Sequence, residues 1–518
     1  MLNLASILEY HHIKHGDNTA YFFGESTYTF SQINSFTNKV ANAIIDAGIK
    51  PGDKIALSCP NTPHFPMVYY GILKAGAVVV PLSILLKHEE VTYHLNDSDA
   101  VAYFCFEGND ALPMGIEGHK GFEAADNCKQ FITITADATA PNPFDSGITF
   151  GQFIGKQSDV FDTYPTHDDD TAVIIYTSGT TGKPKGAELS HANLSWNAKV
   201  SQELFQMRTD DVTLTVLPLF HIFGQTCMMN ASMFQGVPNV LLPRFDAETV
   251  LKLVKKHDVT IFAGVPTMYW GLVHSPDTPE VNELVQHASD SLRLCVSGGS
   301  SLPVQILKDI KAKYDIDIYE GYGMSEGSPV VTFNHPGTVP VAGSIGTPIW
   351  GVFVKIMKED GTEAAVGEKG ELWYKGHSVT KGYYKKPEAN ASSFDNGWFR
   401  SGDIAEKDEN GYYYIVDRSK DMVNRGGLNV YPREVEEVLI KHPAVSMVAV
   451  IGVPDDKMGE EIKACIILKD GQTATPDELK AFTKEHLADY KYPRIYEFMD
   501  AFPMSASGKI LKRELRKM

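Results

Sequence analysis

Short apolar runs alternate with amphipathic helical patterns along most of the chain, and this alternation constrains the fold more than any other feature. The first clear helix is predicted from Thr29. Thr29 and Gln32 have the spacing of a capping box, in which each side chain satisfies the other residue's free N–H. Ile33, Phe36, Val40 and Ile44 then share one face, Gly48 ends the helix, and 53–61 reads as a strand. The rhythm recurs with strands at 211–216, 259–264, 292–299 and 316–323, and helices at 246–258, capped by Asp246, and 302–314, with Pro303 near its first turn. Strands alternating with helices favour mostly parallel sheets covered on both faces. Ligands of such sheets collect where strand C-termini run into loops. The glycine-rich loops after Tyr176, Val296 and Ile318 are therefore expected to converge on one site. Near Lys420 the pattern changes to helix, two strands and helix, the size and content of a small α+β domain. The chain is expected to divide into 1–419 and 420–518.

The 518 residues are 43% apolar and 22% charged, ordinary values for a globular protein with a large core. Lys and Arg number 47 against 65 Asp and Glu, a net charge of −18, which argues against nucleic acid as a partner while leaving room for local basic pockets. Weak peripheral membrane contact and a homodimer stay compatible with it. The six cysteines are scattered without a CxxC pair, which argues against a zinc site and a disulfide framework. The N-terminus lacks a basic region followed by an apolar one, and no stretch approaches the ~18 apolar residues of a membrane span. A cytoplasmic enzyme is the expectation.

One stretch, "YTSGTTGKPKGAELSH" (176–191), follows the apolar run "TAVII". Gly179 and Gly182 expose backbone N–H groups that can approach phosphate oxygens closely. Thr177, Ser178, Thr180 and Thr181 add hydroxyls, and Lys183 and Lys185 add charge. The usual P-loop needs a glycine where Thr177 stands and Ser or Thr where Pro184 stands, so this cradle serves another phosphate chemistry. A flexible surface loop is the plain alternative for any short GxxG, but not for sixteen residues of this composition after a strand.

This stretch closely resembles the signature loop of the adenylate-forming superfamily, which includes acyl-CoA synthetases, luciferases and the adenylation domains of peptide synthetases. "LPLFHIFG" (217–224), "YEGYGMSE" (319–326), "GSIGTPIWG" (343–351), "GELWYKG" (370–376), "WFRSGDIA" (398–405), "IVDRSKDMVNRGGLNVYPREVE" (415–436) and "SASGKILKREL" (505–515) resemble family motifs in family order. The resemblance spans roughly residues 10 to 515. It implies an α/β fold: a large N-terminal domain of mostly parallel sheets covered by helices, with a smaller barrel-like part, then a small mobile α+β C-terminal domain. It also implies the reaction. A carboxylate attacks the α-phosphate of ATP, pyrophosphate leaves, and a thiol, usually that of coenzyme A, takes the acyl group. ATP, Mg²⁺ and coenzyme A are the expected cofactors and co-substrates.

The resemblance assigns roles to particular residues. The loop 177–185 would hold the departing phosphates, with Thr180 and Glu326 as metal contacts. Gly299, Ser300, Ser301, Glu320, Gly321, Tyr322, Gly323 and Ser325 would line the nucleotide site, Tyr322 against adenine and Ser325 at the α-phosphate. Asp403 would hold both ribose hydroxyls, since one carboxylate can accept two hydrogen bonds, with Arg418 in support. Lys509 would bridge carboxylate and α-phosphate, Lys420 would be a hinge, and Gly426 and Gly427 would flank the coenzyme A arm. His221 would lie near the substrate carboxylate. Taken singly, each of these has a blander reading: a core histidine, a surface ion pair, a solvated tail lysine. Gly323 to Gly327 also fits the G-x-S-x-G elbow of hydrolases, but that elbow needs a following helix, which "SPVVTFNHP" disfavours.

"LPLFHIFG" lacks the aspartate that amino-acid adenylation domains commonly carry there, which disfavours amino acids. Phe223, Met228, Val265, Met268, Gly298 and Met324 are the candidate acyl pocket; adaptable methionines suit an alkyl chain. A medium- or long-chain fatty acid is expected, with coumarate-like aryl acids as the alternative. The acceptor is expected to be free coenzyme A rather than a separate carrier protein. Ester hydrolysis and non-catalytic nucleotide sensing are the readings from other classes.

Overall fold

The computed structural model describes residues 2–177, 183–418, 420–455 and 457–518. Two large sheets dominate. One has nine strands in the order Thr347–Pro348, Val330–Phe333, Ile318–Gly323, Leu294–Ser297, Ile261–Gly264, Thr213–Thr215, Asn239–Leu241, Thr19–Phe23 and Ser26–Thr29. Its middle is parallel, and antiparallel pairs close both edges. The second has eight strands, in the order Gly382–Tyr383, Lys185–Ser190, Thr171–Thr177, Val78–Pro81, Lys54–Ser58, Ala100–Phe106, Gln130–Ile134 and Ile148–Thr149. A smaller antiparallel sheet of Val352–Met357, Gly370–Gly376, Trp398–Lys407, Phe394–Asp395 and Tyr413–Arg418 forms the expected third part. A last sheet centres on the long pair Val445–Asp455 and Gly459–Leu468, flanked by the helices Pro432–Leu439 and Pro476–His486.

Local signals are realised where the physics is local. The helix Phe30–Asp46 begins with the capping box of Thr29 and Gln32, and Ile33, Val40 and Ile44 are buried. Asp246 caps Ala247–His257 through the Thr249 N–H, and Val250, Leu251 and Val254 point inward. The helix Ser6–His15 precedes the first one expected; its amphipathic pattern is weak and only Leu8 and His11 are buried. The strands Thr171–Thr177 and Ile318–Gly323 lead into antiparallel partners, Lys185–Ser190 and Val330–Phe333; the second agrees with the expectation that no helix follows Ser325. Only the loop after Val296 opens a helix, Val304–Tyr314.

Buried asparagines join the layers. Asn61 shares its amide N–H groups among the carbonyls of Thr215, Leu217 and Leu242 at 2.9–3.2 Å and accepts the Leu219 N–H at 2.9 Å. It thereby pins the segment that leads to His221. On the helix His191–Leu204, Asn193 donates to the carbonyls of His377 and Val379. Asn197 on the same helix binds both backbone groups of Val330. All six cysteines are free and buried. Burial raises Cys59, Cys105, Cys128, Cys227 and Cys295 to about 12 and Cys465 above its ordinary value.

Asn61→Ala strands buried backbone groups that solvent does not reach. It should destabilise the fold by about 3 kcal/mol, read as a lowered midpoint of chemical unfolding.

Candidate active site

The site lies where the ends of Ile261–Gly264, Leu294–Ser297 and Ile318–Gly323 meet the small sheet and the C-terminal segment. Gly299 has φ +82, and its missing Cβ leaves room for Lys509: a Cβ there would stand 3.2 Å from the lysine Cε and 3.8 Å from Nζ. Gly508, at φ +77, packs equally closely, since a Cβ on it would meet Val265 Cγ2 at 2.9 Å and Thr267 Oγ1 at 3.1 Å. Thr267 donates to the Gly508 carbonyl at 3.0 Å. Two further contacts tie the C-terminal residues down: Trp270 Nε1 donates to Ser446 Oγ at 3.1 Å, and the Arg433 N–H donates to Asp417 at 3.0 Å.

Lys509 is held in its charged form less firmly than an ordinary lysine. Burial, then the Arg418 charge, lower its pKa to about 8, with Asp403 opposing. His221 is lowered to about 3 by burial and then by Lys509. Its imidazole is therefore neutral. The Phe223 N–H donates to Nδ1 at 3.3 Å, which leaves the proton on Nε2. A neutral N–H donor and an ammonium that feel one another's charge suit an anionic oxygen.

Opposite them, buried Asp403 accepts from Tyr322 Oη at 2.6 Å and pairs with Arg418 Nε at 3.3 Å. Tyr322 is thus tied to Asp403 through its hydroxyl. Glu320 is buried; its Oε1 accepts the Leu302 N–H at 3.0 Å, while Oε2 has no partner among the described residues. Burial raises it to about 7, against the pull of Arg433. Gly321 packs its α-carbon against the Phe333 ring, and Gly323 lies so close to the Pro329 carbonyl that a Cβ would stand 2.0 Å from it. Ser325 starts the short turn Ser325–Gly327, and the strand Val330–Phe333 follows. The helix that a hydrolase elbow requires is replaced by a strand.

Glu326 is buried. Its Oε1 accepts from Tyr383 Oη at 2.6 Å and from Thr177 Oγ1 at 3.4 Å. The Lys185 ammonium lies 4.4 Å from the centre of the Tyr383 ring, and Lys183 lies 5.1 Å from that of Tyr93. Thr177, Lys185 and Glu326 are thus brought together, whereas Ser178, Gly179, Thr180, Thr181 and Gly182 lie outside the described residues. Ser300 is exposed and Ser301 half-buried at the rim.

The candidate acyl residues Phe223, Met228, Val265 and Met268 all belong to the large hydrophobic core, and Met324 packs against it. The Phe223 ring lies against Gly298, where a Cβ would stand 3.2 Å from it, and Val265 touches the Gly299 and Gly508 positions. Met324 lies beside Tyr322, with Sδ 3.8 Å from the hydroxyl. Gly426 and Gly427 are exposed on the hairpin of Val423–Arg425 and Leu428–Val430, Gly426 bonded to the Met458 carbonyl, and neither is brought to the cleft. Lys420 is exposed in the turn between the small sheet and this hairpin. Sequence reasoning missed Asn61, Thr267 and Tyr383. Only Tyr383, in a basic aromatic "KGYYKK", gave a signal.

A profile of the AMP-binding enzyme family matches residues 8–384, and that of the AMP-binding enzyme C-terminal domain matches residues 434–509. The chain belongs to the AMP-binding enzyme family. Among its relatives, a long-chain-fatty-acid–CoA ligase of Bacillus subtilis (strain 168) is 36% identical over 538 aligned residues, covering 99% of this chain and 94% of that protein. A feruloyl-CoA synthase of an Amycolatopsis species is 34% identical, with 96% and 95% covered. The crystal structure of the anthranilate CoA ligase AuaEII in complex with anthranoyl-AMP superposes with a TM-score of 0.90 at 30% identity, over 99% of this chain and 96% of that one. This AMP-binding enzyme is an adenylate-forming acid–CoA ligase with a large N-terminal α/β part and a smaller C-terminal α+β part.

Gly508→Ala should push the Lys509 loop off Val265 and Thr267. Acid-dependent ATP–pyrophosphate exchange is expected to fall at least tenfold, since a 1 Å misplacement costs about 10²-fold, while equilibrium binding of ATP changes little.

Proposed function

We propose that this ligase activates a medium- or long-chain fatty acid. The acid's carboxylate oxygen attacks the α-phosphorus of ATP, the bond to the β-phosphate oxygen breaks, and pyrophosphate departs. The coenzyme A thiol then attacks the acyl carbonyl and AMP leaves. The observation that carries the adenylation half is the approach of Lys509 to Gly299, beside neutral His221. An ammonium there stabilises charge as it develops on the transferring oxygens, and His221 Nε2–H orients the carboxylate. Asp403, already accepting from Tyr322 and Arg418, has the lone pairs to receive a ribose diol.

Mg²⁺ fits Glu326. Its Oε1 is occupied by Tyr383 and Thr177, and Oε2 takes no hydrogen bond among the described residues of this buried carboxylate. A carboxylate and phosphate oxygens are the ligands magnesium prefers, and the ion would neutralise the departing pyrophosphate. Residues 1–419 bind ATP and acid, and 420–518 turn about Lys420 to exchange Lys509 for the exposed Gly426–Gly427 hairpin in the thioester step.

The fatty acid is supported by the absence of a carboxylate in "LPLFHIFG", by the apolar Phe223, Val265 and Met324, and by the ligase of Bacillus subtilis. One observation favours an aryl acid instead: the chain is nearly as similar to a feruloyl-CoA synthase and an anthranilate CoA ligase, whose names are of flat acids, as it is to fatty-acid ligases. Exchange of pyrophosphate into ATP across fatty, aryl and amino acids, followed by thioester formation with coenzyme A, separates these. Exchange confined to aryl acids would refute the fatty-acid reading. Lys509→Ala should lower exchange by about 10²–10³-fold. The lysine is charged below its pKa of about 8, so kcat/KM for ATP in adenylation should decline as pH rises through about 8. Lys509→Arg should move that decline to higher pH.

A further inference from the structure

Four of the five tryptophans of the chain form two pairs at the small sheet, Trp196 with Trp350 and Trp373 with Trp398 about Lys355, although they come from four separate segments. Trp196, 45% exposed on the helix His191–Leu204, lies 5.6 Å from Trp350, 64% exposed, between ring centres. Trp350 lies 5.7 Å from His377, whose ring covers Gly351 at the start of the small sheet. From there the outer face of that sheet continues the stripe, because strand residues alternate between faces. Phe353, 67% exposed, is paired in register with exposed Lys375, and Lys355 with Trp373. The Lys355 ammonium lies 5.0 Å from the Trp373 ring and 4.4 Å from the Trp398 ring.

The charges on this face are unusual for a chain of net charge −18. Arg400 is bound to Glu371, which also accepts from Trp373 Nε1, so that pair is neutral. Among the described residues no carboxylate lies within 4.0 Å of Lys355 or Lys375. What remains is two lysines without a carboxylate partner, beside the exposed Phe353 ring, the half-buried Trp398 and the buried Trp373 that Lys355 covers. Protein partners select arginine and exclude lysine from an interface. A headgroup layer takes tryptophan at its apolar boundary and lysine at its phosphates.

We propose that this face, from Trp196 through Trp350 and Phe353 to Lys355 and Lys375, is a docking surface for a phospholipid bilayer that contains anionic headgroups. Exposed apolar patches of this kind mark interaction sites. The lysines complement the lipid phosphates, and Trp350 and Phe353 enter the boundary between headgroups and acyl chains. The surface is independent of which acid the ligase activates.

Co-sedimentation of the full chain with phosphatidylcholine vesicles, with and without a minor share of phosphatidylglycerol, tests it. The chain should bind, more tightly with phosphatidylglycerol. Trp350→Ala with Phe353→Ser should weaken binding roughly tenfold to both vesicles. Lys355→Ala and Lys375→Ala should each weaken binding to the anionic vesicles about fivefold, and the double variant should lose its salt dependence. Pyrophosphate exchange with a water-soluble acid should be unchanged in all variants, which shows that they fold. No binding by the wild type, or equal binding by every variant, overturns the proposal. So does a wild type that is dimeric and ignores vesicles while the variants are monomeric, which would make the face a contact between copies. Capture of an acidic carrier protein without vesicle binding would likewise assign it to a protein partner.

Discussion

Backbone groups that leave a sheet ladder inside a protein must find partners, and buried asparagines supply them here. An amide offers two donors and an acceptor on one short side chain, enough to satisfy groups from several segments at once. Asn61 does this where the segment to His221 begins. Asn197 does it beside Gly327, and Asn334 holds the carbonyls of Glu320 and Ser344 at 2.8–2.9 Å. Each lies where a loop bends sharply enough to abandon its strand. The catalytic face is irregular, and these bonds let irregular backbone lie in an interior that water does not enter.

A second constraint is electrostatic. Burial, and then the Lys509 charge, suppress protonation of His221. Of the two, the lysine is the cation. Asp403 and Arg418 sit near enough to bias that cation in opposite directions. On the proposed reading, an arriving triphosphate would add negative charge and favour the protonated lysine, so that substrate would complete the electrostatics of its own site.

Much of the scaffold was legible because its causes are local. The capping box at Thr29, the Asp246 cap and the apolar faces behind them need only neighbouring residues. The motifs around Asp403, Glu326 and Lys509 were legible through resemblance. The turn at Ser325 was partly legible too, since Pro329 and the β-branched residues after it oppose a helix. The antiparallel return of Lys185–Ser190 was not, because an apolar strand carries no mark of its partner's direction. Nor were Asn61 and Thr267. Their roles lie in contacts of high sequence separation, 241 residues between Thr267 and Gly508, and a lone polar residue in an apolar stretch announces no partner.

An acyl adenylate is an electrophile made inside a protein that carries nucleophiles of its own. Thiolates react with it; thiols scarcely do. Every cysteine of this chain is buried, and burial holds each thiol protonated at neutral pH. Cys227 is the telling case, in the same helical turn as the core residue Met228 and close in sequence to Phe223. The thiols of the enzyme are thereby kept from reacting with the activated acid, which waits for a thiol brought from outside.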